Sequence, residues 1–345
     1  MKLVAPRYYE SFRCKGGKCK SNCCIGWEID IDSRTLEKYS RARGALGEKI
    51  RKSISRSGEV SHFCLKEDER CPHLNSDNLC DIIIGLGEEY LSDICREHPR
   101  YYLTLGDTVY GGVGLSCEAA AELILGEKTP HGYREYSIEG FEPEECDAEL
   151  CDVVLSYRKR IADGAARARS PLELLATSAE LALMLQGEID GEKIEVDPLT
   201  CHETGEIYKE LSKIFGELEY MKDGLYTRLC TSFESMGASD GCSSAEGAVL
   251  SEELRLQLSN IFIYFIDRYL PYAVCDGDAV GAVFLAALSY AAICSVIVKE
   301  GRDPEGLLRL AVDYSAEIEY SEENVERIKS SATAELLSLL PTLFK

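Results

Sequence analysis

The chain has 345 residues, 45% of them hydrophobic and 28% charged, a balance that excludes intrinsic disorder and allows a large buried core. Its net charge of −22 is uneven: residues 1–105 carry 18 Lys+Arg against 16 Asp+Glu, and residues 106–345 carry 20 against 44. A basic stripe for a phosphate backbone is missing, so no nucleic acid is expected as a partner. The acidic body either keeps the surface solvated or favours approach by a basic, lysine-bearing protein.

The opening MKLVAPRYYESFRCKGGKCK has no apolar stretch of the secretory kind. A cytoplasmic location is therefore expected, where cysteines bind metal or act in catalysis rather than pair. Residues 1–125 are rich in cysteine and in turn residues. Helices are predicted here from about Ser33 to Ser57 (capped by Asp32 or Ser33), through Glu88–Cys95, and from Ser116 to a stop at Gly126. The polar segment 126–146 has Gly and Pro near both ends and reads as a linker. From 147 to 345 the period is helical. Ser170-Pro171-Leu172-Glu173 is a capping box with a stop expected at Gly187, and Asp303-Pro304 and Ser321 open two further helices. Ala279–Val298 runs twenty residues without a charge, enough to span a bilayer. Its six alanines and two serines favour instead the central, buried helix of a bundle, with no membrane span. The predicted fold is mainly α: a cysteine-rich, irregular and α N-terminal metal-binding domain (1–125), then an all-α helical bundle domain (147–345).

Nine of the sixteen cysteines fall between Cys14 and Cys117. Thiolates are the soft ligands of zinc and of iron–sulfur clusters, so this density points to a metal centre. Cys14-x4-Cys19-x3-Cys23-Cys24 is followed by Cys71-x8-Cys80-x14-Cys95 and Cys117, and no C-x2-C pair occurs in the chain. That argues against zinc ribbons, zinc fingers and thioredoxin-like sites. The spacing C-x3-C-x2-C of radical chemistry also fails, because its third position is Gly26. Gly111-Gly112-Val113-Gly114 lacks the strand–turn–helix setting of a phosphate loop. A cubane needs four converging thiolates, which Cys19, Cys23 or Cys24 could supply with Cys71, Cys80 and Cys95; a zinc knot is the alternative. Cys201, Cys230, Cys242, Cys275 and Cys294 read as small core residues.

The run from Phe12-Arg13-Cys14 through Cys23-Cys24-Ile25-Gly26-Trp27-Glu28-Ile29-Asp30-Ile31-Asp32 resembles the opening of the flagellin lysine-N-methylase family. So do Cys71-Pro72-His73-Leu74, Leu79-Cys80-Asp81-Ile82, Leu86-Gly87 and Cys95-Arg96-Glu97-His98-Pro99-Arg100. Part of this pattern is also similar to small proteins described as zinc- or iron-chelating; the Trp27 block and Pro99-Arg100 favour the methylase. The resemblance covers roughly the first 120 residues. It implies methyl transfer from S-adenosylmethionine to lysine ε-amines of flagellin, with a [4Fe-4S] cluster taking part. Position by position, Cys14, Cys19, Cys23, Cys24, Cys71, Cys80, Cys95 and Cys117 match family cysteines. One departure stands out: the family reads S-C-P-E where this chain has Ser116-Cys117-Glu118 without the proline.

An amine attacks a methyl group only when deprotonated, and a free lysine has a pKa of about 10.4, so a base or desolvation is required. Tyr101 and Asp30 are the expected catalytic candidates, with Tyr102, Glu28 and Asp32 beside them in sequence. Trp27 is expected to meet the cofactor sulfonium by cation–π attraction or to pack next to the cluster. Arg100 is expected to bind the cofactor carboxylate or neutralise the cluster. His98 is a possible iron ligand or a structural histidine. Two other classes compete with the methylase: a zinc-stabilised interaction module without activity, and an iron–sulfur electron carrier.

Overall fold

Seven strands and a long series of helices make up the chain in a computed structural model that describes residues 1–27, 29–58, 60–128, 132–192, 204–221, 224–237, 250–301 and 303–344. The strands are β1 (Lys2–Pro6), β2 (Asp30–Ile31), β3 (Ile54–Ser57), β4 (Val60–Phe63), β5 (Arg100–Leu105), β6 (Thr108–Val113) and β7 (Tyr133–Ser137). One sheet has the order β5-β6-β1-β7, with β1 parallel to β6 and the other two pairings antiparallel. A smaller antiparallel sheet has the order β2-β4-β3.

The mainly helical expectation holds for the body of the chain, but the two sheets correct the irregular-and-α description of the cysteine-rich region. Three elements also differ. The single helix expected over 33–57 is two, Ser33–Arg41 and Gly44–Lys52, followed by β3. Ala42 is extended and Gly44 has φ +78°, a left-handed turn in the middle of an otherwise helical pattern. The segment 88–95 is a 3₁₀ turn, Glu88–Tyr90, and a short helix, Asp93–Glu97, separated at Leu91-Ser92. Within 126–146, β7 pairs along β1 from Lys2↔Ser137 to Pro6↔Tyr133, so this stretch is part of the larger sheet.

Capping residues start the long helices. Asp147, Ser170, Ser251, Asp278, Asp303 and Ser321 each accept a hydrogen bond from a backbone N–H in the first turn. Ser170 and Pro171 open their helix as expected, but it runs through Gly187 to Asp190 and closes on the left-handed Gly191. Among the described residues no strand follows β7. Among the described residues, Ala279–Glu300 is the one helix long and apolar enough to cross a membrane, and its most apolar window is wholly buried by protein. It packs against Pro171–Asp190, Leu225–Gly237, Glu252–Tyr269 and Glu322–Ser330. Apolar all round, it is the axis of the body. Leu115, Ala121, Ile124 and Leu125 belong to the same core as this bundle, so the chain just beyond the cysteines is fastened to it.

Candidate functional site

All fourteen described cysteines are free thiols. Cys230 and Cys294 are buried in the helical core as expected; Cys275 is exposed, which corrects its reading as a core residue. Cys201 and Cys242 lie outside the described residues. Among the described residues, no three His, Cys, Asp or Glu side chains converge closely enough to hold a single metal ion as they stand.

The eight cysteines matching the family are nonetheless gathered in one region. Cys24, Cys71, Cys80 and Cys95 pack in a small apolar core with Ile29, Ile31, Tyr39, Phe63 and Leu74. Cys71 N–H donates to the Cys24 carbonyl at 2.8 Å, and a β-bridge joins Leu74 to Cys80. Cys117 caps the helix Glu118–Gly126. This chain, without a proline after Cys117, has Glu118 at the first helical position, and its carboxylate accepts N–H bonds from Lys20 (2.7 Å) and Ser21 (3.1 Å) while pairing with Lys15 (3.0 Å). These bonds hold the loop bearing Cys14 and Cys19 against Cys117.

His98 lies among the sulfurs. Burial alone would lower its pKa, but the neighbouring Cys117 and Cys23 outweigh burial and push it up to about 9. Its Nε2 is buried without a hydrogen-bond partner. Cys23 is pulled down by a hydrogen bond from Cys24 and, against burial, by His98, which favours its thiolate. Its hydrogen bond with Cys23, then burial and neighbouring thiols, push Cys24 up, and burial with the Glu118 charge pushes Cys19 up to about 12. The thiol at Cys14 accepts a backbone N–H from Gly16 at 3.4 Å, and amides at His73 and Leu74 donate to Cys71. Thiols with amide donors beside an unpartnered imidazole nitrogen are a donor set that fits an iron–sulfur group or zinc. Cys14, Cys19, Cys23, Cys24, Cys71, Cys80, Cys95 and Cys117 are the residues that would hold it.

Other expected site residues take separate places. Trp27 packs edge-on against Tyr320 (4.8 Å between centroids) and faces His98 (6.3 Å). Arg100 lies over the rings of Phe12 (5.2 Å) and Tyr9 (5.9 Å). Tyr102 shares a 2.9 Å hydrogen bond with Tyr9. Tyr101 is partly buried beside Tyr264, and loss of water around its phenol together with the Asp267 carboxylate pushes it above the ordinary tyrosine value. It is held neutral there, as a donor and ring wall. Asp30 is exposed on β2 opposite His62, on the smaller sheet, whereas Tyr101 is on the larger. Glu28 lies outside the described residues.

Asp32 is a cap. Its carboxylate accepts from Thr35 N–H and Asp93 N–H, both at 2.9 Å, and so joins two helix starts. Burial raises its pKa, but those N–H bonds prevail and hold it below the usual range. A depressed folded value contributes stability that is full above the unfolded pKa of about 3.9 and is lost as pH falls through the folded value. Asp32→Ala is expected to cost about 1–2 kcal/mol at neutral pH. In denaturant titrations that difference should shrink as the pH is lowered below about 3.9; a difference independent of pH would contradict the assignment.

Sequence reasoning missed a second set of residues. Arg268 and Glu319 form an ion pair at 3.1 Å with the Glu319 side chain fully buried. Glu319 also accepts from Tyr264 (2.6 Å), Tyr269 (3.3 Å) and Ser315. The Arg268 guanidinium lies over Tyr101 (4.8 Å) and Tyr320 (5.3 Å). Ser315–Glu319 is a π-helical turn, a form common at functional sites. The available signal was Asp267-Arg268 inside the apolar run Ile261–Leu270, a charge pair where a buried helix should carry none. Gly112 and Gly114 belong to the same constellation, since a Cβ at either would collide with the ring of Tyr101 or the hydroxyl of Tyr320.

Fold and site together define a cysteine-rich protein whose thiol region is seated on a helical body through an arginine–tyrosine layer. Over 133 residues, 36% of this chain, it is 30% identical to the flagellar biosynthetic protein FliU of Salmonella muenchen, 78% of which is covered. Over 133 residues it is also 29% identical to the lysine-N-methylases of Salmonella typhimurium (strain LT2) and Salmonella choleraesuis (strain SC-B67). The match spans 33% of the length of each of these two. The chain belongs to the flagellin lysine-N-methylase family. No family model and no solved structure matches it.

Proposed function

We propose that this chain methylates lysine ε-amines of a flagellin-type protein, with S-adenosylmethionine as the methyl donor and a [4Fe-4S] cluster held by the matched cysteines. The observation that carries this reading is the placement of Cys23 and Cys117 at His98, which lies beside Trp27, together with the packing of Cys24, Cys71, Cys80 and Cys95 in one small core, in a chain whose relatives include two named lysine-N-methylases. An iron–sulfur group supplies Lewis acidity or an electron at its iron. The chain's own residues supply the rest. The acidic body, 44 Asp+Glu against 20 Lys+Arg beyond residue 105, attracts a cationic lysine-bearing surface. In the transfer the amine nitrogen forms a bond to the methyl carbon as the carbon–sulfur bond of the sulfonium breaks, and the amine must have lost its proton beforehand. Tyr101, neutral and beside Arg268, suits orientation by its hydroxyl and ring better than proton abstraction. Asp30, an exposed carboxylate on the smaller sheet, is our candidate to take that proton. Trp27 offers a ring face to the sulfonium and Arg100 a fork to its carboxylate.

Anaerobically prepared chain, incubated with methyl-labelled S-adenosylmethionine and flagellin, should place label on lysine. Absence of label with a chain carrying iron and sulfide would overturn the methylase reading. Stoichiometric zinc without sulfide under anaerobic conditions would instead favour the interaction module.

A further inference from the structure

We infer that the adjacent Cys23 and Cys24 serve different metal centres, with Cys14, Cys19, Cys23 and Cys117 forming one four-thiol site and Cys24, Cys71, Cys80 and Cys95 an adjoining second. The inference rests on reading these cysteines as metal ligands, and it goes beyond that reading in their number and division.

Packing separates the two sets. Cys24, Cys71, Cys80 and Cys95 all lie in the small core built on Tyr39 and Phe63. Cys117 packs in another, with Phe12, Val113, Ala119 and Ala120. Hydrogen bonds of backbone and side chains follow the same division. The second set is stitched by Cys71 N–H to the Cys24 carbonyl (2.8 Å), by the Leu74–Cys80 bridge, and by Asp93 N–H to Asp32, which anchors the helix carrying Cys95. In the first set, Lys15, Lys20 and Ser21 are bound to Glu118, next to Cys117, so the loop carrying Cys14 and Cys19 closes over the start of that helix. Electrostatic neighbours agree. Cys14 senses Cys23 and Cys117, and Cys19 senses Cys117, Cys23 and Cys14. Cys24 senses Cys71 and Cys95 besides its neighbour Cys23, and Cys71 senses Cys80. The two sets meet at Cys23, which neighbours Cys24 and Cys95. That is where two adjoining centres would meet.

Four thiolates complete a cubane, and four also complete a tetrahedral zinc site; eight overfill either. Vicinal cysteines would crowd one metal atom; on this division Cys23 and Cys24, hydrogen-bonded to each other, stand where the two centres adjoin.

The full chain, reconstituted anaerobically with ferrous iron and sulfide, should contain about eight irons and eight sulfides, twice the load of one cubane. Native mass spectrometry of the unsubstituted chain counts them without any variant having to fold. Cys71→Ser with Cys80→Ser should lower the load twofold, as should Cys14→Ser with Cys117→Ser, and the two remaining centres should differ in electron paramagnetic resonance. Titration with zinc alone should reach about two ions per chain. About four irons or one zinc in the unsubstituted chain would overturn the division while leaving a single metal centre intact. Loss of all metal from either double variant, with native helicity retained, would overturn it equally. A chain that binds neither metal would overturn the metal reading and the division together. None of these readouts depends on methyl transfer, so the division can fail while the methylase reading stands.

Discussion

Phe284→Ala is expected to cost about 3–5 kcal/mol of folding free energy. Phe284 is fully buried in the second turn of the helix Ala279–Glu300, whose residues from Gly281 to Ile297 are all buried. Removal of the ring would leave a cavity that the packed neighbours cannot collapse to fill. On the same helix Val280 is only partly buried, so Val280→Ala should cost distinctly less. Denaturant unfolding in plain aqueous buffer measures both, and the midpoint should move with an unchanged slope. A helix facing lipid would make its side chains nearly indifferent to such truncation in water. An effect of Phe284→Ala below about 1 kcal/mol would therefore count against a buried axis.

The same helix shows which features of the fold were legible. Its alanine content and two serines argued for protein rather than lipid around it, and the buried axis bears that out. The capping signals at Ser170, Asp303 and Ser321 were equally readable, because a cap is a local bond between a side chain and the next turn. The strands were not. In β6 five of six residues are buried, so the alternation that marks a half-exposed strand is absent. Only five residues long and largely polar, β7 gains its identity from pairing with β1, which lies 127 or more positions away in sequence. The break in 33–57 rests on one left-handed glycine, Gly44, inside a pattern whose apolar spacing continues on either side. Gly187, by contrast, was given a terminating role that belongs to Gly191.

At the candidate site, the sequence pointed to thiols and a tryptophan but not to what lies between them and the body. Cysteine spacing counts residues along the chain, whereas the proximity of Cys117 to Cys14 and Cys19 depends on Glu118 reaching back to Lys20 and Ser21. The string Gly111-Gly112-Val113-Gly114, rejected as a phosphate loop, has a steric meaning that appears only once Tyr101 and Tyr320 lie against it. Arg268 and Glu319 are separated by 51 positions and meet through helix packing and a π-turn, neither of which has a short-range signature.

That pair gives the second large expected effect. Arg268→Ala would leave Glu319 fully buried and facing three hydroxyl donors, without its cation, and should cost about 3–5 kcal/mol. The asymmetry is the point of the experiment. Replacing both members, Arg268→Met with Glu319→Leu, removes the uncompensated charge and should recover most of that loss. A double variant as unstable as the single one would mean that the tyrosine hydroxyls, not the ion pair, hold the layer. The consequences reach beyond stability, because Arg268 lies over Tyr320, and Tyr320 packs against Trp27 and His98. Trp27 is the only tryptophan in the chain, so its emission reports on this contact alone. Arg268→Ala should change that emission at denaturant concentrations where the chain remains helical, placing the effect at the seam between the thiol region and the body. If Trp27 were unaffected while stability fell, the arginine–tyrosine layer would be serving the bundle only, and the thiol region would be held by the Glu118 bonds and the shared core at Leu115.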